Sequence, residues 1–227
     1  MVNALIAGTN YGYDRPFGLQ IAGRDLSKPK TQKLLVKELF KTTSVHVDVA
    51  CHENGSAVKQ LIDVLETNKV KVFVDERAQP ALTNNNAKIE YLVYAENLNP
   101  DDLSKVLGQL GAAAKSEQVE SVQVSALTSQ HRSGLSRILG VDEKNLQAPP
   151  PKPMNFHNPI EVPKDKKEAR KNGEGTQKTN GQANAEALAL VMVLESGTSR
   201  SAQVQRFLAS RRAARPGSLQ VVMVVRA

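Results

Sequence analysis

His46, Asp48, Cys51 and His52 fall within seven residues, the densest grouping of a thiol, imidazoles and a carboxylate in the chain. A Cys–His pair can produce a thiolate nucleophile, and a Cys/His/Asp set can hold zinc. The local pattern opposes both. In Val45-His46-Val47-Asp48-Val49-Ala50-Cys51 the apolar residues recur at every second position, the period of a strand. Cys51 then shares a face with Val45, Val47 and Val49 and turns toward a core, whereas His46, Asp48 and His52 project from the other side. Free cysteine is among the most buried residue types, so core packing explains Cys51. Zinc asks for about four ligands. His131 and His157 are remote in sequence, and neither CxxC nor HExxH spacing occurs.

Other chemistries are no better supplied. The chain has no GxGxxG or GxxxxGK[ST] phosphate loop and no GxSxG elbow. Asp101 with Asp102, and Asp142 with Glu143, are adjacent carboxylates. The first pair suits the positive end of a helix, and the second lies near a linker. Arg206, Arg211, Arg212 and Arg215 offer phosphate contacts or, more simply, a solvated helix C-terminus where positive charge is favourable. The sequence therefore assigns no catalytic, cofactor-binding or metal-binding residue and reads as a non-enzyme without a cofactor.

The elements that would position any site form a repeat from Thr43 to Ala126. After the first strand comes a helix with Asn54 as its cap and Val58, Leu61, Ile62 and Leu65 on one stripe, closing near Asn68. Val70-Lys71-Val72-Phe73-Val74 alternates again, and residues 79–86, with Pro80 and three asparagines, read as a turn-forming connection. The second copy opens with Ile89-Glu90-Tyr91-Leu92-Val93-Tyr94, whose Glu90 suggests one partly exposed face. Asn99 caps the next helix, Pro100 takes its first position, and Leu103, Val106, Leu107 and Leu110 form its stripe. Val119, Val122 and Val124 mark the closing strand. A βαββαβ unit of this kind predicts an α+β fold of ferredoxin-like type: an antiparallel sheet with helices on one face.

Residues 1–43 read as a glycine-rich loop followed, from Thr31, by an amphipathic helix carrying Lys33, Lys37 and Lys41 toward solvent. The ferredoxin-like domain spans 44–147, and its end, Leu127 to Gly140, forms a short helix through Leu135, Ile138 and Leu139. Residues 148–186 open with Pro149-Pro150-Pro151 and become rich in Lys, Asn, Gly, Gln and Glu, a composition that predicts a flexible, disordered linker. In 187–227 a third strand-helix-strand unit returns, with Leu188 to Leu194 and Leu219 to Val225 apolar at nearly every position. Such strands must be buried on both faces, so this unit is expected to dock on the 44–126 repeat, in cis or across a dimer.

The net charge of +7 is unevenly placed: +4 over residues 1–43, −4 over 44–147, +2 over 148–186 and +5 over 187–227. An acidic centre argues against a nucleic-acid partner. Tyr91, Tyr94 and Phe73 invite comparison with an RNA-recognition sheet, but Tyr91 and Tyr94 lie on opposite faces by parity and the glycine-containing RNP1 pattern is absent. One cysteine excludes an internal disulfide, and no run approaches the roughly 20 apolar residues of a membrane span. The chain reads either as cytoplasmic or as the soluble portion of a larger envelope protein.

Two stretches, Tyr94-Ala95-Glu96-Asn97-Leu98-Asn99-Pro100-Asp101-Asp102-Leu103 running on to Val119–Val124, and Pro216 to Arg226, resemble the soluble C-terminal regions of bacterial membrane-anchored, anti-sigma-factor-like envelope proteins. The resemblance implies paired βαβ modules around a polar linker and an envelope sensing or scaffolding role. It brings no functional residues, and the membrane helix and zinc-binding module of such proteins have no counterpart here. The expected function is a non-enzymatic protein-interaction or scaffolding module, acting through a protein partner or self-association. The alternative is a small-molecule-binding regulatory domain of ferredoxin-like type.

Overall fold

The computed structural model describes residues 18–83, 89–113, 119–146, 186–194 and 197–227. Seven strands, β1 (Gly18–Ala22), β2 (Ser44–Cys51), β3 (Lys71–Val74), β4 (Tyr91–Leu98), β5 (Val119–Ala126), β6 (Leu188–Val193) and β7 (Leu219–Arg226), form one sheet in the order β1-β5-β2-β7-β4-β6-β3. Six helices join them: α1 (Pro29–Leu39), α2 (Asn54–Thr67), α3 (Ala78–Thr83), α4 (Pro100–Ala113), α5 (Ser129–Leu139) and α6 (Ala202–Ser210). The result is a mixed α/β fold. β2 with β7 and β3 with β6 pair in parallel, and the remaining neighbours are antiparallel.

The purely antiparallel sheet expected from the repeat is thus corrected, and the reason is where the C-terminal unit goes. β7 lies between β2 and β4, with Val221 opposite both Val45 and Ala95. β6 lies between β4 and β3, with Leu190 opposite Tyr94 and Phe73. The apolar strands find their cover in cis, inside the sheet. Their continuous hydrophobic pattern is what an interior strand with helices on both sides demands.

Helices on one face only is the second correction. One side of the sheet, through Val47, Val49, Tyr91, Val93, Val191, Val221 and Met223, packs on Leu35, Val58, Leu61, Leu103, Val106 and Leu107 of α1, α2 and α4. The opposite side, through Phe73, Leu92, Tyr94, Leu190, Met192 and Val222, packs on Leu135, Ile138 and Leu139 of α5 and Val204 and Phe207 of α6. Chirality explains the placement of α6. The step β2-α2-β3 and the step β6-α6-β7 connect strands of the same direction but travel opposite ways across the sheet. For both crossovers to share one hand, their helices must lie on opposite faces.

Smaller differences follow from local chemistry. β1 occupies part of the expected N-terminal loop, as an edge strand held by β5, with Ile21 opposite Val122. Gly23 is required just after it, because a Cβ there would sit 1.8 Å from Val119 O. α3 replaces the first part of the expected turn at 79–86; Asn84, Asn85 and Asn86 lie outside the described residues. Asn54 is the first residue of α2 rather than its cap, and its side chain donates to Ile89 O while accepting from Gly55 N. β4 has no exposed face, since Glu90 precedes the strand and Tyr91 to Ala95 are all buried. The expected start of α4 at Pro100 and end of α5 at Gly140, which adopts a left-handed φ of 65°, are as the sequence indicates. Of the linker expected at 148–186, all but Glu186 lies outside the described residues.

Candidate functional site

β4 and β7 are largely apolar strands interrupted by polar side chains, and Glu96 of β4 and Gln220 of β7 converge on Tyr94. β4 bulges between Ala95 and Leu98, where Asn97 adopts a left-handed φ of 61°. Asparagine tolerates that conformation better than most residues, and a bulge re-aims the side chains beside it. Asn97 is buried: its Oδ1 accepts from Arg215 N (3.0 Å) and Ser218 Oγ (3.3 Å), and its carbonyl accepts from Arg215 Nη2 (2.6 Å). The bulge therefore anchors the loop that leads from α6 into β7.

Glu96 accepts a two-pronged contact from Arg211, with Nη2 to Oε1 at 2.7 Å and Nε to Oε2 at 2.9 Å. The planar fork of guanidinium matches a carboxylate in this way. Arg211 Nη2 also donates to Asn145 O, at 2.5 Å. Tyr94 Oη donates to Glu96 and accepts from Gln220 Nε2 at 2.6 Å, and Gln220 Nε2 also donates to Leu146 O at 2.9 Å. Burial, then the neighbouring Glu96 carboxylate, holds the Tyr94 phenol well above its ordinary range, so it stays a protonated donor. Burial is the largest single influence and opposes the Arg211 charge, but the hydrogen bond and charge of Glu96 together with Tyr94 outweigh it and raise the pKa.

Above this network opens a cleft of about 200 Å³ lined by Glu96, Asn97, Asn145, Arg211, Arg212 and Gln220, among others. Gln220 is 3% exposed, and its Oε1 is a buried acceptor with no donor among the described residues. Arg212 is exposed at the rim. Of the four arginines singled out in the sequence, two thus fix the architecture, Arg211 through Glu96 and Arg215 through Asn97, while Arg206 and Arg212 face solvent.

The residues of the His/Cys grouping separate. Cys51 is buried among the core valines, its Sγ donates to Arg226 O at 3.3 Å, and burial pushes the thiol up to about 11, the opposite of an activated nucleophile. His52 sits exposed beside Glu120. His46 points to the other face, as parity requires, but it is buried there, because His131 of α5 stacks on it with centroids 3.9 Å apart. Sequence distance concealed that pair. Asp101 and Asp102 lie in the first turn of α4, and Ser133 Oγ donates to Glu143. Tyr91 and Tyr94 are both buried and offer no stacking platform. Phe73 packs edge-on to Phe207. His157 lies outside the described residues. Among the described residues no group of three or more His, Cys, Asp and Glu side chains is placed to hold a metal ion, and no helix is long and apolar enough to cross a membrane.

The cleft residues Glu96, Asn97, Asn145 and Gln220 were not distinguished by sequence reasoning. For Glu96, Asn97 and Gln220 the signal was polar side chains inside otherwise apolar strands, which either face solvent or belong to a buried network; Asn145, in the short 3-10 helix 143–146, carried no such signal. No family model, no curated protein and no solved structure matches the chain.

Proposed function

We propose that the chain is a non-enzymatic binding module whose ligand is a small polar molecule held in the cleft between the β4 bulge and the α6–β7 loop. The observation that carries this reading is the Gln220 Oε1 acceptor, buried and without a donor among the described residues, in a cleft that the exposed Arg212 also lines. An unmet buried acceptor costs about 1–3 kcal/mol, which an incoming N–H or O–H group recovers. The ionic groups nearby are consumed by each other, Glu96 by Arg211 and Tyr94 by Glu96, so they shape the cleft rather than offer a free acid or base. A ligand with a hydrogen-bond donor and an anionic group suits the two ends. The frame itself we infer to be a ferredoxin-like βαββαβ unit into which β6 and β7 are threaded. Supporting this, omission of those two strands leaves the order β5-β2-β4-β3 with alternating directions. Screening small polar metabolites by thermal shift tests the proposal. A ligand at about 100 times its Kd adds about 2.7 kcal/mol and raises Tm by several degrees, and Arg212→Ala should abolish the shift without lowering the unliganded Tm. Silence across amino acids, hydroxy acids and small phosphates would remove the reading.

The protein-interaction reading has its own support in the second face of the sheet. Among the described residues the row Gln20, Gln123 and Asp48, its first two members exposed and Asp48 half-buried, runs to β1, the last strand of the sheet. An exposed edge strand is a template for pairing. Self-association motivated by the apolar C-terminal strands, however, loses its basis once those strands lie inside the sheet. Concentration-dependent sedimentation distinguishes edge pairing, which gives a dimer, from a monomeric binder.

A further inference from the structure

We propose that the stacked imidazoles of His46 and His131 form a pH-sensitive latch that holds the first turn of α5 on the sheet at neutral pH and loosens it on acidification. The two rings lie 3.9 Å apart and 15° from parallel. Their in-plane lone pairs run side by side rather than converging, so the pair is not arranged to share a metal. His46 is 7% exposed, set in the sheet between Ser125 of β5 and Val222 of β7.

The charges around it are poorly placed to accept a proton. From β2, Asp48 Oδ2 lies 3.3 Å from His46 Nδ1, but its other oxygen is engaged by Arg226 of β7 at 2.9 Å. From α5 come His131 and Arg132, whose Nη2 donates to Ser44 Oγ at 3.1 Å. β5 brings only the uncharged Ser125 and Gln123. The one carboxylate beside His46 is therefore already engaged by the Arg226 guanidinium. Burial, then His131, lowers the His46 pKa, with Asp48 opposing and Arg226 adding to the effect.

His131 is fixed in the stack by the start of α5. It occupies the third position of the helix, where its Nδ1 accepts from Thr128 N (3.3 Å) while Thr128 Oγ1 accepts from His131 N (3.4 Å), a reciprocal cap. The sign follows from linkage: because His46 is held below its ordinary value when α5 is docked, the released state takes up the proton first. Docking is then complete above the ordinary histidine pKa and is lost as pH falls through it toward the lower docked value.

The experiment is amide exchange on the full chain, corrected for intrinsic rates, comparing α5 with α4, which carries no histidine. Between about pH 7.5 and about pH 5.5, opening of α5 relative to α4 is expected to rise, because the open state takes up the proton that His46 resists when α5 is docked. His46→Phe keeps a ring on His131 and should abolish the rise. His131→Gln retains a capping-box residue at that position, should reduce the rise, and should move the His46 titration midpoint upward in the histidine NMR spectrum. Equal α5 protection at the two pH values would overturn the proposal. So would an undiminished acid response in His46→Phe or, if that variant does not fold, in His131→Gln.

Discussion

β5 and β7 are both eight-residue strands, and both flank β2, yet they are built on different rules. β5 alternates, with Val119, Val122 and Val124 buried and Glu120 and Gln123 exposed. β7 is buried at nearly every position from Leu219 to Val225. The difference is one of cover rather than of pairing. Among the described residues β5 has helices on one face and exposed side chains on the other, whereas β7 lies beneath α2 on one side and faces the α5 and α6 layer on the other. Hydrophobic periodicity therefore reports how many faces of a strand are covered.

The sharpest way to break this comparison is to remove β7. A chain ending at residue 149 lacks both interior strands, so β2, β4 and β3 lose their partners on one or both sides. We expect no cooperative urea transition by circular dichroism and strong dye binding to exposed apolar surface. A cooperative, monomeric fragment would show that β2 and β4 can pair directly. Next in size is a charge in each strand: Val221→Asp should cost roughly 4–5 kcal/mol, because it buries a carboxylate between Val45 and Ala95 without a partner, while Gln123→Lys on the open face, opposite Asp48, should stay within about 0.5 kcal/mol. Equal effects in equilibrium denaturation would refute the account of cover.

Phe207→Ala removes the ring that lies edge-on to both Phe73 and Tyr94 and should cost about 3–4 kcal/mol. Glu96→Gln tests the polar seam. It leaves the half-buried Arg211 guanidinium without its counter-charge, and an expected loss of about 2 kcal/mol should be read against the near-neutral Arg212→Ala at the rim. If Arg212→Ala proved the more damaging of the two, the seam would depend on its rim rather than on its buried pair.

Much of the fold was legible in the sequence because helix stripes and strand alternation are local. The Leu103, Val106, Leu107 and Leu110 stripe and the Gly140 stop needed no tertiary information. The continuous apolar pattern of β6 and β7 already required two covered faces. Which strands they would separate was not legible, since pairing of Val45 with Val221 depends on crossover hand and on competing partners far along the chain. β1 was missed because five residues at an edge carry too little periodicity. The cleft was hidden for a related reason: Glu96, Asn145, Arg211 and Gln220 are widely spaced in sequence, and no spacing rule links them. His131 was set aside as remote from His46, although the helix that carries it was recognised.

The threading of β7 between β2 and β4 also governs how the protein can be made. Val45 emerges from the ribosome long before Val221, and at about 5–20 residues per second the interval is roughly 10–35 s. Through that time β2 and β4 each have an unfilled side, and any direct pairing between them must be undone before β7 can enter. Contacts of such high sequence separation form slowly. The nascent chain is therefore exposed to premature zippering of its own strands and to pairing with neighbouring chains, so its yield should depend on synthesis rate and chaperone supply more than the stability of the finished sheet would suggest.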